Sequence, residues 1–137
     1  MSRVIKWSDD FDVGVQRMND EHKIIIQLIG ELFEKNERNE PFSSVMVTLK
    51  ELAEYTVKHF KDEEEYMESV NYPQLSVHKK IHEKLLNDLS SHAEKIEQTK
   101  SLTQPFFDFL NMWLSAHIKG IDMKYNPESN SELEKAS

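Results

Sequence analysis

The sequence predicts an all-α protein, an antiparallel up-down-up-down four-helix bundle with an extended N-terminal arm, on three observations. Glycine and proline are scarce, three and four in 137 residues, which disfavours a turn-rich β architecture. Apolar residues recur at helical spacing along four long stretches, the signature of helices with one buried face. The breaks between those stretches are short, so consecutive helices should pack as antiparallel neighbours. A chain of this length is expected to form a single domain with one core: an arm at 1–18, the bundle at 19–124 and a polar tail at 125–137.

In the arm, Trp7, Phe11, Val13 and Val15 alternate loosely around Gly14, which reads as an extended segment lying over the helices. Asn19 is a candidate N-cap for the first helix. Its stripe runs through Ile25, Ile26, Leu28, Ile29, Leu32 and Phe33, and the polar stretch at 36–41 ends it. The second helix starts near Ser43 or Ser44, passes Met46, Leu49, Leu52, Ala53 and Thr56, and stops near Ser69 before Asn71-Tyr72-Pro73, a turn signal. The third spans about 73–100 with Val77, Ile81, Leu85, Leu89 and Ile96 inward or flanking. The fourth spans about 103–124, after which Pro127 and a polar composition mark the tail.

Composition narrows the function. There is no cysteine, which excludes disulfides, thiolate zinc sites and iron-sulfur clusters, so any metal must take nitrogen and oxygen ligands. The net charge is -8, with cations scattered among acids, and this argues against a nucleic acid partner. No apolar run is long enough for a bilayer span or a secretory signal. A soluble, cytoplasmic, monomeric protein is the expectation.

The histidines carry the chemistry. His22 lies near the start of the first helix, His59 in the later half of the second, His78 and His82 near the start of the third, and His117 in the last turns of the fourth. In an antiparallel bundle these positions all fall at one end. Burying several imidazoles together without partners is unfavourable, so packing alone does not account for the pattern. His78 and His82 are four apart and project from one face, as do His59 and Glu63. Asp62, at the i+3 position, is the second choice on that helix. After His117 the nearest carboxylate is Asp122, five residues on and roughly 140° round an ideal helix, so it needs a widened last turn to face inward. His92 continues the His78 and His82 face but lies about 15 Å further along it, too far to join the same cluster.

The set Asp20-Glu21-His22, His59-Phe60-Lys61-Asp62-Glu63, His78-Lys79-Lys80-Ile81-His82 and His117-Ile118-Lys119-Gly120-Ile121-Asp122 resembles the hemerythrin family, most of all its single-domain bacterial members, over nearly the whole chain. The i+5 carboxylate is part of that family's pattern. Glu21 departs from it, since many relatives have glutamine before the first histidine, and an acid there should alter local charge rather than ligation. The resemblance implies a non-haem di-iron centre with an oxo or hydroxo bridge: His78, His82 and His117 on one iron, His22 and His59 on the other, and Glu63 and Asp122 bridging. The three-to-two split leaves one coordination position open on the second iron, where O₂ would bind reversibly. Ile25, Phe60, Trp113 and Ile118 would wall that pocket.

The implied role is O₂ carriage, storage or delivery, not enzymatic turnover, with O₂ as the partner and no protein partner identified. The alternative is O₂ or redox sensing, or iron storage, with the same site. A carboxylate-rich di-iron oxidase would need Glu-x-x-His motifs, and none occurs in the sequence.

Overall fold

The computed structural model of the chain describes residues 7–118. After a single 3₁₀ turn at Asp9–Phe11 come four α-helices: α1 Gln16–Glu37, α2 Phe42–Ser69, α3 Leu75–Thr99 and α4 Gln104–Ala116. No strand occurs among the described residues. Residues 1–6 of the arm, residues 119–124 of the expected fourth helix, with Asp122 among them, and the tail at 125–137 lie outside the described residues. Within those limits, no helix is long and apolar enough to cross a membrane.

The start of α1, the later half of α2, the start of α3 and the end of α4 contribute to one buried cluster. That convergence requires successive helices to run in opposite directions. The core between them is built from Ile25, Ile29 and Leu32 of α1, Leu49, Leu52 and Phe60 of α2, Leu89 and Ile96 of α3, and Phe106, Leu110 and Leu114 of α4. Within each helix consecutive positions of this set are three, four, seven or eight residues apart, the spacing of one helix face. Val77, expected inward or flanking, stands half exposed, because the adjacent His78 takes the inward position on that turn. Between helices the chain reverses through Asn39, Asn71 and Lys100, all with φ near 55°. At Lys100 this left-handed residue closes α3, its N–H bonding the Ile96 carbonyl at 2.7 Å.

The beginning of α1 differs from the sequence expectation. The helix starts three residues before Asn19, with Val15 at the N-cap, and Asn19 is a buried residue one turn inside it. Its side chain serves the arm instead. Oδ1 accepts the Val13 N–H at 3.0 Å, and Nδ2 donates to Asp12 Oδ1 at 2.8 Å. The Gly14 N–H donates to the same Asp12 oxygen at 2.8 Å. These two donors, Asn19 first, hold the Asp12 carboxyl below the usual carboxylate range. The described part of the arm is therefore folded rather than simply extended, and it delivers Phe11 and Val13 into the core.

Where α4 reaches this same end of the bundle, the helical type changes. The His117 N–H is shared between the Trp113 and Leu114 carbonyls, and His117 and Ile118 form a π-helical turn. Such turns are wider than the α-helix and occur as local insertions.

Candidate metal centre

Each predicted histidine is delivered by its helix to the same point. On α1 and α2, His22 and His59 lie edge to face with ring centroids 4.6 Å apart. On α3, four-residue spacing places His78 and His82 on one face with centroids 4.5 Å apart. His117, at the widened turn, approaches both, at 5.3 Å and 5.1 Å. All five rings are buried, and so is Glu63.

Glu63 stands between two groups of rings, one carboxylate oxygen to each. Its Oε1 faces Nε2 of His82 at 2.8 Å, of His78 at 3.2 Å and of His117 at 3.9 Å. Its Oε2 faces Nε2 of His59 at 3.3 Å and of His22 at 3.4 Å. The donor atoms form two sets sharing this residue, each with its members within 4.8 Å of one another. Burial disfavours a charged Glu63 carboxyl, but the His59 charge and the imidazoles of His117 and His22 that face it outweigh burial and hold the group well below the usual carboxylate range. The cluster is thus arranged around negative charge. Asp62 points elsewhere, toward Arg17 at 3.1 Å and Lys58 at 2.8 Å.

Two further carboxylates sit behind the rings. Glu21 Oε1 lies 2.7 Å from His59 Nδ1, and Glu64 Oε2 lies 2.8 Å from His82 Nδ1. From the sequence Glu21 is expected to alter local charge rather than ligation, and helical spacing does not single out Glu64. The signal available was an acid adjacent to a ligand candidate at a helix seam. These contacts test whether the residues suit a metal. His82 meets a carboxylate oxygen at both ring nitrogens, yet a neutral imidazole has only one N–H to donate. With the Nδ1–H donated to Glu64 Oε2, the Nε2 lone pair faces Glu63 Oε1, and a cation held by both satisfies them. His59 repeats the arrangement between Glu21 and Glu63. Histidine ligands of metal ions are typically oriented in this way, with the second nitrogen bonded to a carboxylate. Five nitrogens and a shared carboxylate fit a pair of transition-metal ions.

Phe60 lies flat on His82, centroids 3.8 Å apart and 1° between planes, and leans on His59 and His117 at 5.9 Å and 5.7 Å. Trp113 meets Phe60 edge-on at 6.1 Å and stands one ring further out. Its buried Nε1 has no hydrogen-bond partner among the described residues. Ile25 and Ile118 are fully buried. His92 is elsewhere, packed on Phe109 and Phe106 at 4.4 Å and 5.6 Å. Asp122 lies outside the described residues.

A four-helix bundle closing one end over five imidazoles and a shared carboxylate defines a histidine-rich metal-binding domain. The chain belongs to the hemerythrin family: the sequence model of the hemerythrin HHE cation binding domain matches residues 13–129. Among similar proteins, a bacteriohemerythrin of Clostridium acetobutylicum is 30% identical over 125 residues, covering 87% of this chain and 96% of its own. A hemerythrin-like protein of Naegleria gruberi is 34% identical over 119 residues, covering 87% and 88%. The crystal structure of a wild-type hemerythrin superposes with a TM-score of 0.83 at 27% identity, covering 93% of this chain and 98% of that one.

Proposed function

We propose that the centre holds two iron ions and binds O₂ reversibly, for carriage, storage or delivery, without turning over a substrate. The observation that carries this reading is the unequal division of the histidines about Glu63, three toward Oε1 and two toward Oε2. Two ions held in this way would differ by one protein ligand. The iron pair would supply the electrons for O₂ binding and, on the side of His22 and His59, an open coordination position.

The chain's own residues have separate tasks in this scheme. His78, His82 and His117 would hold one ion and His22 and His59 the other, with Glu63 bridging. Asp122 would be the second bridging carboxylate. The π turn at His117 and Ile118 supports that assignment, since a carboxylate five residues after His117 needs such widening to share its face. Glu21 and Glu64 hold the rings of His59 and His82 with Nε2 inward. Phe60 backs His82 and Trp113 stands one ring out; with the buried Ile25 and Ile118 they would supply the apolar walls. None of these four side chains is an acid or base, which favours binding and release over further chemistry, and dry walls slow loss of bound ligand to water.

The test is iron analysis combined with O₂ titration of the anaerobically reduced protein. Two irons per chain and a visible spectrum that appears with O₂ and disappears on its removal are expected. An irreversible bleach would remove the carrier reading, and a zinc-only or metal-free protein would remove the di-iron reading.

A further inference from the structure

We propose that Glu21 is a positioning residue of the metal centre: as a carboxylate accepting the His59 Nδ1–H, it orients that ring and favours the oxidised state of the ion held by His22 and His59, while Arg17 and Lys58 partly offset its charge. The inference rests on the iron reading above and concerns what sets the iron's oxidation equilibrium.

The geometry couples two helices. Glu21 precedes His22 on α1, but its Oε1 reaches across to His59 on α2 at 2.7 Å. One turn of α1 therefore supplies one ligand candidate for this ion and fixes the ring of the other. Glu21 is buried, so water does little to weaken its charge. A buried carboxylate behind an imidazole makes Nε2 a stronger donor, and a stronger donor stabilises ferric over ferrous iron.

The same carboxylate is held from outside. Glu21 Oε2 lies 3.6 Å from Arg17 Nε and 3.6 Å from Lys58 Nζ. Asp62 anchors both cations, at 3.1 Å and 2.8 Å. Arg17 and Lys58 are more than half exposed, at 58% and 59%, so solvent and salt screen their effect. They should act with the opposite sign to Glu21, and more weakly. A purely structural role would not produce opposite signs.

The test compares wild type, Glu21→Gln and Arg17→Gln/Lys58→Gln in iron-loaded protein, by spectroelectrochemical titration after iron has been counted. Glutamine keeps an oxygen that can accept the Nδ1–H but removes the charge. Glu21→Gln should shift the ferric-ferrous equilibrium about tenfold toward ferrous, which is about 59 mV upward for a one-electron step. The double variant should move the potential downward by less, and the difference should shrink as salt is added. Independently of iron, Glu21→Gln should weaken zinc binding roughly 10- to 100-fold in competition with a chromophoric chelator. A wild type without two irons overturns the reading of the centre, and this inference with it. Two irons in wild type with an unmoved Glu21→Gln potential, or with both variants shifting the same way, overturns this inference alone. If Glu21→Gln takes up no iron, the double variant decides: a downward shift supports the proposal, and no shift or an upward one overturns it.

Discussion

Replacing Phe60 by alanine should damage both the core and the centre, in amounts that the structure allows to be worked out. The ring is 3% exposed and lies stacked on His82 at 3.8 Å. Deleting a buried phenylalanine to alanine costs about 3–5 kcal/mol, as lost transfer energy plus the cavity left behind. Against a total stability of about 5–15 kcal/mol, that removes a large fraction. Phe60→Leu retains most of the apolar volume and should cost about 1.5 kcal/mol. The measurement is urea denaturation of the metal-free proteins, which separates packing from metal binding. With a slope of about 1–3 kcal/mol per M, the alanine variant should unfold at least about 1 M earlier than wild type, and leucine at most about half as far. Zinc affinity supplies the second arm: without its backing His82 is less well oriented, and a loss of roughly tenfold is expected. An alanine variant within about 0.5 kcal/mol of wild type, the range of surface substitutions, would refute the argument that this ring fills the space behind the ligands.

Gly30→Ala should stabilise the protein by about 1 kcal/mol, since alanine is the better helix former and a Cβ at Gly30 in the middle of α1 meets nothing within 4 Å; a lowered melting temperature would contradict it. Asn19→Ala should cost about 1–3 kcal/mol, because it leaves the Val13 N–H without its acceptor, and amide exchange at Val13 should accelerate. The same variant has a pH signature. A carboxyl held below its usual range adds stability that is complete above the unfolded value, 3.8 for Asp12, and is lost as pH falls through the folded one. Removing Asn19 should therefore make the decline of stability in acid shallower, and an unchanged slope would count against the clasp. His82→Ala should lose iron and also the stability that metal binding adds; unchanged iron content would sink its role as a ligand.

The helices were legible because their signals are local. Periodic apolar residues mark a buried face whatever the face packs against, and short breaks force antiparallel neighbours. Asn19 was misread for a related reason. Its preference for helix starts is a statistical consequence of a side chain that accepts a nearby backbone N–H, and here it accepts one from the arm at Val13. The chemistry of the residue was read correctly, but its partner was not. Val77, inward or flanking by its hydrophobicity, stands half exposed because its neighbour His78 takes the inward direction.

The cluster divides along the same line. Choosing Glu63 over Asp62 needed only the helical angle from His59: four residues return to within about 40° of the starting direction, whereas three fall about 60° short. The structure places Glu63 at the centre and Asp62 on the outer cations. Glu21 and Glu64 could not be found by that arithmetic, because their partners lie 38 and 18 residues away on other helices. Each is nonetheless the immediate neighbour of a cluster residue, Glu21 of His22 and Glu64 of Glu63. A helix step of about 100° turns such a neighbour away from the cluster and along the seam with the next helix, where the outward nitrogen of a ring on that helix needs an acceptor. In an antiparallel histidine-rich bundle, an acid beside an inward residue is therefore the place to look for the group that orients a ring across the seam. Residues identified by spacing hold the centre, and residues adjacent to them in sequence hold its rings.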